Sequence, residues 1–384
     1  MKVTISVGGR FHAFNLAEQL SKRGLLDVLI TSYPGYIVER FGIPRSKTRS
    51  ILIKEILQRS GKYIPAFVRS KLNYQYFTHE IFDTIASRKI KKSDIFVGWS
   101  SFCLKSLRKA KECGALTVID HGSAHPIFQE RILSEEYEMC GIKFYKTHEK
   151  LLSKALDEYN EADYIAIPSI YSKKTFLDNN IPEEKLLHVP YGVSLAEFKE
   201  LPKSDNIFRV VFAGGISIRK GVHYLLKAFS ELNLPNSELI LVGTVEPEMS
   251  TFLKKYEGHY KLIGHVNQKT LHEYYSNSSV FVLNSIEEGF GMVIIQAMAC
   301  GLPVIATINT GGPDIINDGV EGFIIPIRDV EKLKEKLSYL YENQDICKQM
   351  GQSAKERVSS GFTWDDYGDR MVREYERILA GHNK

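Results

Sequence analysis

The sequence predicts an α/β protein made of two facing, Rossmann-like, doubly wound domains with a cleft between them. Three observations carry this reading. Short runs of β-branched and aromatic residues bounded by turn residues alternate with helix-length segments, as in a parallel sheet wound by crossover helices. These runs fall into two series separated by a polar, Pro-containing stretch, Ala196 to Ile207, which reads as a linker. At 384 residues, the chain also exceeds what one hydrophobic core usually organises.

In the first series the expected strands are Lys2 to Val7, Asp27 to Thr31, Ile95 to Gly98, Leu116 to Asp120, Tyr164 to Ile167 and Leu187 to Val189. The second comprises Arg209 to Ala213, Glu238 to Val242, Lys261 to Ile263, Val280 to Leu283, Pro303 to Ala306 and Gly322 to Ile325. The domains are accordingly expected at 1–195 and 205–362. A final amphipathic helix over 363–384 follows Thr363-Trp-Asp-Asp-Tyr and is expected to return to the first domain. In such sheets, ligands bind beyond the strand C-termini, so the cleft is where site residues should lie.

With 43% apolar and 25% charged residues, the composition is that of an ordinary globular protein. The five cysteines, Cys103, Cys113, Cys140, Cys300 and Cys347, show no CxxC spacing, so neither a disulfide framework nor a metal site is expected, and reduced thiols fit a cytoplasmic location. The Val3 to Val7 run is too short for a signal-peptide core, and no apolar stretch reaches membrane-spanning length. Charge is uneven: residues 1–111 carry 21 Lys+Arg against 7 Asp+Glu, a net +14 within a chain of only +4. An anionic neighbour of the N-terminal part follows, with an anionic membrane surface at the inner face or a phosphate-bearing acceptor as the candidates. A solvated basic face explains the asymmetry equally well. Nucleic acid is not expected, because the basic residues from Arg40 to Lys71 follow no recognisable nucleic-acid module.

The most informative stretch is Ser285-Ile-Glu-Glu-Gly-Phe-Gly-Met-Val-Ile-Ile-Gln-Ala-Met-Ala-Cys-Gly-Leu-Pro-Val-Ile-Ala306. Gly289 and Gly291 let the backbone approach a ligand. The helix that starts with Met292 and Val293 presents free amides and a dipole that favour negative charge. Glu288 would repel phosphate and suits sugar hydroxyls instead. Gln296 is the one polar side chain of that helix. Earlier, Gly214-Gly-Ile-Ser-Ile-Arg-Lys-Gly221 follows a strand and precedes an amphipathic helix. A strand, a Gly-rich turn, cations and a helix make a phosphate-binding sequence without Walker spacing. Here Lys220 supplies a compact charge and Arg219 a fork for two oxygens.

These segments resemble family 4 of the retaining glycosyltransferases, which have the GT-B architecture. The resemblance rests on Gly214 to Gly221, Glu288-Gly-Phe-Gly291, Ala297 to Thr307, Gly311-Gly-Pro-Asp314 with Asp318-Gly, and Phe362-Thr-Trp364. Ala162 to Ser169 and Val189-Pro-Tyr-Gly-Val193 resemble the family's last N-domain strand and hinge. It is strong over residues 155–365 and weaker before them. It implies transfer of a sugar from a nucleotide-diphosphate sugar to an acceptor hydroxyl with retention, with no bound metal and no cofactor. The absence of an Asp-x-Asp triplet agrees with that implication. The acceptor would be a carbohydrate or lipid-linked molecule in polysaccharide or glycolipid synthesis. A small soluble acceptor such as a sugar phosphate, or nucleotide-sugar binding without turnover, are the alternatives.

The resemblance assigns catalysis to Glu288, His121 and Lys220. Donor binding falls to Arg219, Gly215, Gly289, Phe290, Gly291, Met292, Val293, Gln296, His265, Val266 and Gly9. His121 directly follows a strand, with His125 as its rival. Glu130, Glu135 and Glu136 lie on a charged helix and are expected to be solvated. Two positions depart from the family: Gln296 replaces a second Glu and Gly215 an Arg. The loss of charge assistance at Gln296 costs about 1 kcal/mol per hydrogen bond. Arg219 is the nearby cation that could take over the missing clamp.

Overall fold

A computed structural model describes residues 1–60 and 73–382. Among these residues the chain forms two wholly parallel sheets. The first contains β1 (Val3–Val7), β2 (Leu26–Thr31), β3 (Thr48–Ser50), β4 (Ile95–Trp99), β5 (Leu116–Asp120), β6 (Tyr164–Ile167) and β7 (Leu186–His188), in the spatial order β3-β2-β1-β4-β5-β6-β7. The second contains β8 (Phe208–Ala213), β9 (Ser237–Val242), β10 (Lys261–Gly264), β11 (Val280–Leu283), β12 (Val304–Thr307) and β13 (Gly322–Ile325), in the order β10-β9-β8-β11-β12-β13. These are two Rossmann-like α/β domains.

Burial explains the run-like strand sequences. Every residue of β1, β4, β5, β8 and β11 is buried, because helices cover both faces of a parallel sheet and leave no solvent side to be polar. The helices show the complementary pattern. Ala13–Lys22 turns Phe14, Leu16, Ala17 and Leu20 inward, and Val222–Leu232 does the same with Leu225, Leu226 and Phe229, which is the one-sided stripe of a sheet-covering helix.

In each sheet the strand order reverses once, between β1 and β4 in the first and between β8 and β11 in the second. The loops leaving such a pair diverge to opposite faces and open a crevice. At the second crevice those loops are Gly214 to Gly221 and Asn284 to Gly291, the two segments singled out above. At the first, the loop after β1 holds Gly8, Gly9, Arg10, Phe11 and His12.

Three expectations need correction. β3 is a parallel edge strand paired Leu29↔Thr48 and Thr31↔Ser50; its polar Thr-Arg-Ser sequence carries no apolar period to announce it. β7 begins one residue earlier than expected and ends before Val189. Glu136 is fully buried rather than solvated, for reasons given below. Lys62, Arg69 and Lys71 of the basic N-terminal stretch lie outside the described residues.

The chain crosses back at its end. Val193 donates its amide to Phe362 O (2.8 Å), and the helix Trp364–His382 lies along Ala13–Lys22. Arg23 Nη2 meets Asp369 at 2.5 Å and Lys22 meets Asp365 at 3.4 Å. Among the described residues, no helix is long and apolar enough to cross a membrane.

Candidate nucleotide-sugar site

The second crevice is assembled by main-chain contacts between its two loops. Ile286 N–H donates to Arg219 O at 2.9 Å. That bond sets the Gly-rich turn beside the Glu287-Glu288 segment, and the Lys220 ammonium lies in contact with the Glu288 carboxylate. Burial, aided by the neighbouring Arg219 guanidinium and opposed by the Glu287 carboxylate, lowers the Lys220 ammonium to about 7. Beyond Glu288 the chain turns through Gly291 (φ 83°) into the helix Met292–Ala299. This left-handed turn needs glycine, since a side chain would also meet Leu283 at 2.7 Å. The first-turn amides of Met292 and Val293 have no intrahelical acceptor. A cation, a carboxylate and a helix N-terminus therefore share one crevice.

The remaining predicted donor residues border the same sheet edge or point away from it. Gly215 is exposed, and the space a side chain would enter there is open to 4 Å. Gln296 is buried within the apolar helix, and its amide makes no hydrogen bond among the described residues. His265 is exposed and Val266 half-buried just after β10, where Gly264 O accepts the Gly243 amide at 2.8 Å. Phe290 is buried with its ring 5.6 Å from that of Tyr191; only its backbone is left for a ligand. Gly9 belongs to the other crevice, where its carbonyl accepts Thr31 Oγ1 at 3.0 Å.

The first domain closes directly on this loop. Gly289 O accepts Ser169 Oγ at 2.6 Å and Ser172 Oγ at 3.2 Å. A Cβ on Gly289 would lie 2.0 Å from Gly122 O, so a hydrogen is all this contact admits. Next to it, the fully buried Glu287 accepts Ser123 Oγ (2.8 Å), the Ala124 amide (3.1 Å) and Gln129 Nε2 (2.8 Å) from the first domain, and Arg219 Nε (2.7 Å) from its own. Burial works against that charge. The Arg219 guanidinium and the three hydrogen bonds outweigh it and hold the carboxyl below its usual range.

His121 sits beside this junction with both ring nitrogens engaged, Nε2 with Ala124 O and Nδ1 with Tyr159 OH, each at 2.9 Å. Burial lowers its pKa. In this arrangement the imidazole braces the loop 121–124 against Gly289 and offers no free nitrogen to a ligand. His125 is buried against Tyr159 and Phe176, and burial lowers it to about 4.

Sequence reasoning missed Glu287 and Glu136. Both are interdomain carboxylates whose partners are far apart in the chain. Glu136 receives His223 Nε2 at 2.9 Å and Arg328 Nε at 2.6 Å from the second domain. Cys140 joins Glu136 and His223 within 4.8 Å, but both Glu136 oxygens are already engaged and burial pushes the Cys140 thiol up to about 11, which disfavours a metal-binding thiolate.

With this geometry in hand, comparison with known proteins is informative. Residues 194–357 match the family described as Glycosyl transferases group 1. This segment is similar to group 1 glycosyltransferase domains. It holds the whole Lys220–Glu288 crevice. Relatives of the chain include the Staphylococcus aureus capsular polysaccharide biosynthesis glycosyltransferase CapM, 27% identical over 258 residues (62% of this chain and 67% of CapM). A Methanocaldococcus jannaschii uncharacterized glycosyltransferase, MJ1178, is 30% identical over 219 residues, which cover 56% of this chain and 60% of that protein. Among solved structures, sucrose-phosphate synthase from Thermosynechococcus elongatus superposes with a TM-score of 0.71 at 19% identity, covering 99% of this chain and all of the other. Anabaena HepE, solved in complex with UDP, superposes at 0.70 and 17% identity, covering 98% and 100%. At these identities the structural likeness establishes the fold, which is GT-B: two Rossmann-like domains face one another across a cleft.

Proposed function

We propose that the chain is a retaining glycosyltransferase that moves a sugar from a nucleotide-diphosphate sugar to an acceptor hydroxyl, without a metal ion, in polysaccharide or glycolipid assembly. The observation that carries the proposal is the convergence of Lys220, Glu288 and the Met292–Ala299 helix N-terminus in the crevice between β8 and β11. As the glycosidic carbon–oxygen bond breaks, its electron pair leaves with the diphosphate. Lys220 and the Met292 and Val293 amides would stabilise that growing charge, where preorganised electrostatics lowers a barrier most. Arg219 would help through the guanidinium nitrogens that Glu287 leaves unused, and Glu288 would hold donor-sugar hydroxyls. Gln296 would bond the nucleoside ribose without charge assistance. HepE, in complex with UDP, and CapM, of capsular polysaccharide biosynthesis, support the donor class and the pathway type.

The proposal includes an anionic membrane surface as a neighbour of the first domain, as the basic residues 1–111 lead one to expect. Its helix Ile53–Ser60 turns Lys54 inward while Ile53 and Ile56 are exposed next to Leu52 and Arg59. Apolar side chains amid cations suit an anionic bilayer surface. Incubation with UDP- and GDP-sugars, with and without lipid-linked and soluble acceptors, tests the activity. Acceptor-dependent nucleotide release that persists in chelator, with an α-linked product from an α-donor, is expected. No release across the panel would overturn it.

A further inference from the structure

A cavity opens at the end of the second sheet that faces away from the cleft. Phe208 begins β8, Ser279 precedes β11 and Pro303 precedes β12, so all three stand at strand N-termini, whereas the loops of Lys220 and Glu288 leave strand C-termini. The cavity measures about 460 Å³, within the roughly 300–1,000 Å³ of small-molecule pockets. One wall is the interdomain linker, pinned where the Leu201 amide donates to Ser276 Oγ at 2.9 Å. Another is the stretch Cys300 to Leu302, where the helix Met292–Ala299 ends. The Lys220–Glu288 crevice adjoins the opposite end of that helix, so the proposed transfer makes no use of this space.

The charge of the cavity is one-sided. Glu200 and Asp205 line it, but Glu200 is paired with Lys355 at 2.7 Å and Asp205 with Arg209 at 2.9 Å, and neither of those cations belongs to its walls. The two ammoniums that do, Lys203 and Lys348, have no carboxylate of their own. Lys203 donates to Ile207 O at 2.6 Å and Ser279 Oγ at 2.7 Å. Both acceptors are uncharged, and the third donor of the ammonium has no partner among the described residues. Lys348 is exposed and makes no hydrogen bond or ion pair among the described residues. Burial, then the Arg209 guanidinium, lowers the Lys203 pKa; Asp205 opposes this and Lys348 adds to it. A half-buried ammonium repelled by its neighbours is short of negative charge. Beside these cations the walls are apolar, with Phe208 and Leu302 buried and Leu201 39% exposed.

We propose that this cavity is a binding site for a small organic anion with an apolar body. The anionic group takes the open donor of Lys203 and the ammonium of Lys348, and the body lies against Leu201, Phe208 and Leu302. Such a ligand would bridge the interdomain linker and the second domain without entering the cleft. The inference goes beyond the transfer reading and does not depend on it.

The test uses the full chain and two fluorescent probes of one shape class, anionic 8-anilinonaphthalene-1-sulfonate and uncharged N-phenyl-1-naphthylamine, with thermal melts of every variant. The sulfonate is expected to show a saturable component that excess UDP and GDP do not displace, and the uncharged probe should bind that component at least about tenfold more weakly. Lys348→Glu, a change at an exposed position, should weaken sulfonate binding at least about tenfold. Cys347→Phe, which fills part of the cavity, should weaken both probes. Absence of a saturable sulfonate component, or one that both variants leave intact, overturns the site. Equal binding of the two probes overturns its anion preference. Loss of the sulfonate component on adding nucleotide, with both variants binding as the parent does, places the probe in the cleft and overturns the site as well.

Discussion

Gly289→Ala is the most informative single substitution, because it adds one methyl group at the point where the two domains touch. Gly289 has no left-handed backbone to lose, so the whole effect comes from the new contact. The added Cβ would stand 2.0 Å from Gly122 O, whereas carbon–oxygen contacts settle at roughly 3.3 Å or more. The domains must therefore part locally by more than 1 Å. That motion stretches the Ser169 and Ser172 hydrogen bonds to Gly289 O, now 2.6 and 3.2 Å, and strains those from Ser123, Ala124 and Gln129 to the adjacent Glu287. At roughly 1 kcal/mol for each of the two neutral hydrogen bonds and 1.5–3 kcal/mol for each of the three to a charged group, these contacts total about 6–11 kcal/mol, and losing about half of that costs the closed arrangement about 3–6 kcal/mol. If transfer requires that arrangement, kcat should fall at least ~100-fold, since each 1.4 kcal/mol is a factor of ten. Nucleotide affinity, which the proposal places in the second domain, should move less than about threefold. Steady-state kinetics and calorimetry on the same preparation separate the two effects. Turnover within a few-fold of the parent in a folded Gly289→Ala variant would refute the claim that the chemistry depends on this contact.

Three further outcomes follow from the same geometry. Glu287→Gln removes the buried charge facing the partly exposed Arg219 and should cost about 1.5–3 kcal/mol in chemical denaturation, the range for a hydrogen bond to a charged group; a loss under 1 kcal/mol would contradict its place as the interdomain anchor. Gly215→Arg, entering open space in the same loop as Arg219, should tighten nucleoside-diphosphate binding about fivefold, roughly 1 kcal/mol; unchanged or weaker binding in calorimetry would show that the position does not face the diphosphate. His125 is buried neutral at about 4 and His79 at about 3, both below the ordinary value near 6.5. Their stabilisation is thus complete above pH 6.5 and lost as pH falls through the folded values. Each should cost about 2 kcal/mol between pH 7 and pH 5, and His125→Phe should remove its share of that acid sensitivity in urea melts.

Much of the fold was legible because parallel sheets write themselves as apolar runs, and each run of β1, β4, β5, β8 and β11 is buried end to end. The edge strand β3 was not, because one pairing partner and an exposed Arg49 leave no periodic signal. The meeting of the Gly214–Gly221 and Asn284–Gly291 loops in one crevice was legible for a local reason: glycine spacing, a helix start and a cation are all properties of short segments. Glu287 and Glu136 were illegible because a charged residue in a sequence defaults to solvent, and what buries them is a partner more than 80 positions away in the other domain. His121 illustrates the limit from the other direction. Its position after a strand placed it correctly at the cleft edge, but only coordinates reveal that Tyr159 and Ala124 O occupy both its nitrogens.

A crystal structure with the nucleoside diphosphate released in the transfer assay tests the central claim most directly. The diphosphate is expected within hydrogen-bonding distance of Lys220 Nζ and the Met292 and Val293 amides, with Lys220 drawn from Glu288 towards phosphate. A diphosphate bound elsewhere on the domain, with the Lys220–Glu288 contact undisturbed, would contradict the account.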